Sequence, residues 1–395
     1  MTPLALRSFT SSSCIGTGNT ATLKTIQAQR GGLKPCDFES AAIDTFIGEV
    51  PGVDEQQVPG ELKVFDCRNN RLAELALRQD GFAAAVAQTA ARVGSERVGV
   101  YLGTSTSGIL ETELAYRRRD AQSGLLPDDY HYGTTHNTFS VSDYLRRRLH
   151  IDGPALSLSS ACASSAKAFA SAQRAIAAGL VDAAVVGGID SLCLTTLYGF
   201  HSLQLSSTHP CRPFDVARDG ISIGEAAAFV LLERTGADGS AVMLYGVGES
   251  SDAHHMSAPH PEGLGARLAM EAALNSANLE VGEVDYINLH GTGTPSNDRS
   301  ESQAVTTLFG PTVPCSSTKG ATGHTLGAAG ALEAVICALC LQEGIMPGGV
   351  GTGHLDPNLT AHYIRENKRA PVRRIISNSF GFGGTNCSLI LGSTQ

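Results

Sequence analysis

Short β-branched runs alternate with longer alanine-rich segments along most of this chain, and that alternation limits what it can fold into. Runs of strand length lie at 97–102, 183–186, 228–232, 284–289 and 387–391. Helical segments lie at about 71–92, 162–178, 265–277, 299–308 and 327–342. Strand and helix in alternation predict an α/β fold with buried sheets. The 44 glycines and absent tryptophan among 395 residues fit closely packed elements joined by tight turns. At 42% hydrophobic, the chain can bury a large core.

A faint repeat runs through the pattern. In the first half a strand ends at Leu102, and Gly103-Thr104-Ser105 follows. Ser159-Ser160-Ala161-Cys162 then opens an alanine-rich helix, and the strand 183–186 runs into Gly187-Gly188. In the second half the strand 286–289 is followed by His290-Gly291-Thr292. The turn 316–324 opens another alanine-rich helix, and a strand near 375–377 meets Gly381-Phe382-Gly383-Gly384. Cys162 and His324 therefore stand at matching places. The repeat predicts two pseudo-symmetric halves, 1–240 and 241–395, joined near the polar turn 235–240.

Composition narrows the function. A net charge of -9 argues against a general nucleic-acid binder. No run of about 18 apolar residues is present, so no membrane span is expected. The first residues, MTPLALRSFTSSSC, lack the apolar stretch of a signal peptide. The ten cysteines are scattered through predicted core elements, which points to reduced thiols and a cytoplasmic location. Cys337 and Cys340 form a CxxC inside the apolar run ALEAVICALCLQEG, with no second ligand pair at zinc spacing. No metal is expected.

Four segments could carry chemistry. Cys162 reads either as a small buried hydrophobe among alanines or as a thiol at a helix start, where free N–H groups favour thiolate. In LHGTGTPSND, His290 follows a strand, and Thr292 and Thr294 offer hydroxyls between glycines. A capping histidine in a polar turn is the alternative. In STKGATGHTLGAAGALEA, Lys319 and His324 flank a glycine-rich turn that lacks the spacing of a phosphate loop. In NSFGFGGTN, Phe380 and Phe382 sit among glycines, as suits a movable lid with N–H groups free for an oxyanion.

Together these segments resemble the condensing enzymes of the thiolase superfamily, specifically elongating β-ketoacyl-acyl-carrier-protein synthases (types I and II). The resemblance runs from about Arg97 to the C-terminus and includes CRPFDVARDGISIGEAAAFVLLE at 211–233. It implies the five-layered αβαβα thiolase fold and a homodimer. It implies a decarboxylative condensation of an acyl-enzyme thioester with a malonyl thioester carried on acyl carrier protein. No cofactor of its own is implied, because the carrier protein brings the phosphopantetheine. Cys162 matches the nucleophile. His290 and His324 match the pair that polarises the malonyl carbonyl, Lys319 the family lysine, and Glu301 its usual carboxylate partner. The N–H groups of Cys162 and Phe382 match the oxyanion hole, with Phe382 also a gate and Phe380 beside the substrate. Thr292 and Thr294 match the binders of the phosphopantetheine arm.

The histidine pair separates subclasses. His324 stands where the carrier-independent priming type needs asparagine, and Cys162 is absent from chain-length-factor subunits. A partner subunit of that kind, in a heterodimer or as a non-condensing scaffold, remains the alternative. GTSTSGILETE (103–113) departs from the family by placing Thr106 and Ser107 where the acyl pocket is lined. This leaves a specialised pathway, such as aryl-polyene synthesis, as open as fatty-acid synthesis. Acyl carrier protein is acidic and needs a basic patch. Arg68, Arg71 and Arg212 are the candidates, along with the triplets 117–119 and 146–148.

Overall fold

The structure is a computed structural model and describes residues 1–234 and 241–393. The expected join at 235–240 lies outside the described residues. Of the strands on the main path of the large sheet, five, β1 (Leu4–Ser13), β2 (Val98–Gly103), β3 (Ala155–Leu158), β4 (Ala183–Asp190) and β5 (Ala226–Arg234), precede that segment. Five follow it: β6 (Val242–Ser251), β7 (Tyr286–Asn288), β8 (Cys315–Ser316), β9 (Arg374–Gly381) and β10 (Thr385–Ser393).

These strands form one mixed sheet in the order β8-β7-β9-β10-β6-β1-β5-β4-β2-β3. Read inward from either end, the pairings are parallel, parallel, antiparallel, antiparallel. The repeat seen in the sequence is thus a repeat of topology. The two series meet at one short antiparallel pairing, Leu4 with Leu244 and Ala5 with Met243.

The helices that pack on the sheet are α1 (Arg68–Leu77), α2 (Phe82–Val93), α3 (Ser140–Arg148), α4 (Ser164–Ala177), α5 (Leu264–Ala277), α6 (Pro295–Phe309) and α7 (Ala329–Glu343). α1, α2 and α3 cover the first half-sheet, and α5 covers the second with α6 against it. α4 and α7 touch strands of both halves and each other. The layers are therefore helix, sheet, helix, sheet, helix.

Small residues make the middle layer possible. A Cβ on Gly330 of α7 would stand 2.8 Å from the Ala166 Cβ of α4. Every residue of α7 from Ala329 to Leu341 is buried, as befits a helix apolar on all sides. The stretch Leu326–Glu343 is long and apolar enough to cross a membrane, yet 89% of it is buried inside the molecule. Cys337 and Cys340 are free, buried positions of that core helix.

Two boundaries differ from expectation. The single helix expected at 71–92 is two, because Asp80 (φ 53°) and Gly81 (φ 68°) turn left-handed and break it. The helix expected at 299 starts at Pro295, which suits a first helical position, and Thr294 caps it by accepting from Asn297 N–H.

Candidate active site

The parallel strands of both halves end at one place, and their C-terminal loops carry the side chains that converge there. Cys162 lies in the turn between β3 and α4. Its predecessor Ala161 is held at φ 49°. The Ala161 carbonyl accepts from the Ser164 and Ser105 hydroxyls, which steadies that left-handed residue. Cys162 Sγ stands 3.0 Å from His324 Nε2. Donor atoms of Cys162, His290 and His324 all fall within 4.8 Å of one another.

Burial pushes the Cys162 thiol up to about 11, against the pull of Lys319 and of a hydrogen bond from Phe382 N–H. The helix N-terminus does not win here. α4 begins only at Ser164, and desolvation of a thiolate costs more than the helix start returns. Both histidines are driven far below their ordinary range, first by burial and then by the Lys319 charge. They are neutral imidazoles, set edge to face with ring centroids 5.2 Å apart.

The Glu301 carboxylate does not pair with Lys319. It accepts from His290 N–H at 2.8 Å and Gly291 N–H at 2.7 Å, and from the Asn378 amide at 3.2 Å. It fixes the backbone turn that carries the histidine. The carboxylate beside Lys319 is Glu333, on α7. Lys319 is fully buried, so its charge requires this partner. Burial pushes Glu333 up to about 7, and Lys319 opposes that rise.

The turn after β9 closes the site. Gly383 and Gly384 take φ values of 82° and 77°. Gly383 N–H donates to the Met256 carbonyl at 2.7 Å, and Asp252 N–H donates to the Gly384 carbonyl at 2.8 Å. Phe382 is partly exposed, and its ring sits 5.8 Å from that of Phe200. Phe380 is buried, 5.8 Å from the His290 ring. The pocket around these groups, counted out into the open solvent at its mouth, spans about 600 Å³. Thr292, Thr294, Phe380 and Phe382 line it together with Cys162, His290 and His324.

Residues 70–237 match the model of the β-ketoacyl synthase N-terminal domain, and 241–352 match that of its C-terminal domain. A 3-oxoacyl-[acyl-carrier-protein] synthase 2 of Rhizobium meliloti is 36% identical, over 74% of this chain and 73% of that protein. The chain belongs to the β-ketoacyl synthase family. A mitochondrial 3-oxoacyl-[acyl-carrier-protein] synthase of Arabidopsis thaliana is 38% identical, over 64% of this chain and 59% of that protein. A chain of the complex between a ketosynthase and its chain length factor from Xenorhabdus doucetiae superposes with a TM-score of 0.90. That likeness has 39% identity and covers 100% of this chain and 98% of that one. Members of this family are condensing enzymes that transfer acyl groups and form carbon–carbon bonds, and the thiolase fold is theirs.

Within this β-ketoacyl synthase, several expected residues stand elsewhere. Thr106 does not line the pocket; it is buried, and its hydroxyl and N–H both donate to Asp190. Arg68 is buried in a bidentate pair with Glu225 and also reaches Asp54 and Glu49. That pair anchors α1 to the core and leaves nothing for a partner to meet. Arg71 is held by Asp66, and Arg212 by Asp219. In the triplets, Arg118, Arg146, Arg147 and Arg148 have carboxylate partners, and Arg117 donates to the Ser40 hydroxyl.

Other site residues went unnoticed in the sequence. Phe200, His255, Ser257 and Asn297 line the pocket. Glu333 had a readable signal. It is the one acidic residue in the buried stretch of that helix from Ala329 to Leu341, and a carboxylate there needs a buried cation.

Proposed function

We propose that the protein elongates an acyl chain by decarboxylative Claisen condensation on acyl carrier protein. The observation that carries this is the 3.0 Å contact of Cys162 Sγ with His324 Nε2, beside a second neutral imidazole. In the first half-reaction Sγ attacks the acyl thioester carbon. Its proton moves toward His324 Nε2 and passes to the departing phosphopantetheine sulfur. The N–H groups of Cys162 and Phe382 receive the oxyanion. In the second half-reaction the malonyl thioester oxygen lies between His290 and His324, and with Cys162 acylated the His324 imidazole takes the tautomer that carries its proton on Nε2. Neutral N–H donors suit the enolate left when carbon dioxide departs, and burial, aided by the nearby Lys319 charge, keeps them neutral. The enolate attacks the Cys162 thioester and releases the thiolate, which takes up a proton from solvent to restore the thiol.

Thr292 and Thr294 hold the arm in the mouth, and the protein needs no cofactor of its own. The carrier protein docks near α6. Arg299 is exposed there, one turn from the lining residues Ser296 and Asn297, with no ion-pair partner among the described residues. Ten free thiols suit a reducing, cytoplasmic setting.

The test is condensation of acyl- with malonyl-carrier protein, followed by mass spectrometry across a panel of carriers. Cys162→Ala abolishes it; full retention of condensation refutes the reading. A second reading, a heterodimer with a chain-length-factor-like subunit, is favoured by the likeness to the X. doucetiae complex. The alternative is the family's homodimer. The native mass, alone and with such a subunit, separates the two.

A further inference from the structure

Asp190, the last residue of β4, is fully buried. Its carboxylate gathers donors from two distant segments. Oδ1 accepts from the Thr104 hydroxyl at 2.7 Å, Ser105 N–H at 2.7 Å, Thr106 N–H at 2.8 Å and the Thr106 hydroxyl at 2.9 Å. Oδ2 accepts from Gly327 N–H at 2.6 Å and again from Ser105 N–H at 3.0 Å. No cation pairs with it among the described residues. A buried anion satisfied wholly by neutral donors is costly, and it rigidifies what it holds.

The two segments it ties together lead to the two ends of the sulfur–nitrogen contact. On one side, the Ser105 hydroxyl donates to the carbonyl of Ala161, the left-handed residue before Cys162. On the other, Gly327 follows His324 by three residues, past Leu326, which is itself left-handed at φ 51°. The near end of that turn is clamped to the first half by His324 N–H to the Ser222 carbonyl and Gly224 N–H to the His324 carbonyl. Its far end has Asp190. Gly327 is also packed against the carboxylate, since a Cβ there would stand 2.8 Å from Asp190 Oδ2 and 2.6 Å from Ser105 Oγ.

We infer that Asp190 is a positioning residue that sets the Cys162 turn and the His324 turn at their working separation. It touches no substrate and acts through the two turns. The reactive sulfur itself faces His324 and His290, and the charges that reach it are those of Lys319, which lowers the thiol, and of Asp190 itself, which raises it.

Asp190→Asn tests this, because the change keeps shape. The amide oxygen can keep the Oδ1 donors, but its NH₂ then faces Gly327 N–H, and the His324 side comes loose. The readout is alkylation of Cys162 by iodoacetamide against pH, in the full-length protein. It needs neither acyl nor malonyl substrate, so its failure is distinct from failure of the condensing assignment. In the parent protein His324 supports reaction near neutral pH. In Asp190→Asn that limb is lost, and alkylation follows only the thiol's own ionisation, above neutral pH though lower than in the parent because the Asp190 charge is gone. The kcat for acyl transfer falls on the order of 10²-fold, as about an ångström of misplacement brings, with KM unchanged. Gly327→Ala pushes on the same carboxylate from the other side and gives the same profile. The double variant is no worse than either single one, because both break one link. A folded Asp190→Asn with the parent alkylation profile overturns the inference. Where that variant does not fold, the parent profile in Gly327→Ala, or in Ser105→Ala if Gly327→Ala fails as well, overturns it equally.

Discussion

Replacing Glu301 with glutamine has opposite consequences for stability and for activity, and the structure sets their size. Glu301 is fully buried and accepts only from donors. Burial pushes its carboxyl from 4.5 up to about 7, against the N–H groups of Gly291 and His290 that favour the charge. A carboxyl raised in the folded state binds its proton more tightly there than when unfolded. Its contribution is full below the unfolded value and is lost as pH rises through the folded one. At about 1.4 kcal/mol per pH unit, the span from 4.5 to about 7 costs the parent protein about 3 kcal/mol. Glutamine resembles the protonated acid and does not titrate. The variant therefore gains about 3 kcal/mol on the parent between pH 4.5 and 8. Glu333 titrates alike in both proteins and cancels. The assay is urea unfolding of parent and Glu301→Gln across that range. Activity moves the other way. One of the two N–H groups, of His290 or Gly291, loses its acceptor, and condensation falls at every pH. A stability difference flat in pH refutes the reasoning, as does a variant with unchanged turnover.

Other substitutions test other parts of the structure. Arg68→Ala lowers stability by about 3–5 kcal/mol, because Glu225 is left buried without its cation; chemical denaturation measures this, and carrier-protein KM for the folded fraction stays unchanged. Arg299→Ala raises that KM, more at low salt than at high, without moving the melting temperature. Gly330→Ala forces a Cβ to 2.8 Å from that of Ala166 and destabilises by about 1–3 kcal/mol, seen in thermal unfolding. Phe382→Ala keeps the backbone donor but removes the ring that meets Phe200; acyl transfer persists, while hydrolysis of the acyl-enzyme, followed by mass spectrometry, accelerates.

The sequence carried the order of elements well because strand and helix obey local rules. β-branched runs mark β2, β4, β5, β7 and β10, and alanine-rich stretches mark α4 and α7. It carried β1 poorly, since LALRSFTSSS is rich in serine, and only tertiary packing buries those hydroxyls. His290, His324 and Phe382 stand in glycine frames that the sequence displays, and Cys162 stands among serines and alanines. The site's supporting charges were not legible. The partner of Lys319 is 14 residues along the chain and separated by a turn, whereas the family resemblance pointed to Glu301. Asp190 lies four residues past the strand expected at 183–186, where nothing local sets it apart. Arg68 looked like a surface cation, because nothing local reveals that Glu225, 157 residues away, lies against it. Burial of charge is a property of the assembled halves.

The palindromic sheet divides the chemistry unevenly. One copy of the repeat kept the sulfur, and the other kept both imidazoles, the lysine and the lid. Neither copy holds a site by itself. The separations of the sulfur from the imidazoles are therefore gauged across the seam of the two copies, which the Asp190 bonds span and where α4 and α7 press together. That seam is the protein's caliper, and its jaws are set by alanine and glycine. A methyl group added to it, remote from every reacting atom, would reset the distance at which a carbon–carbon bond is made.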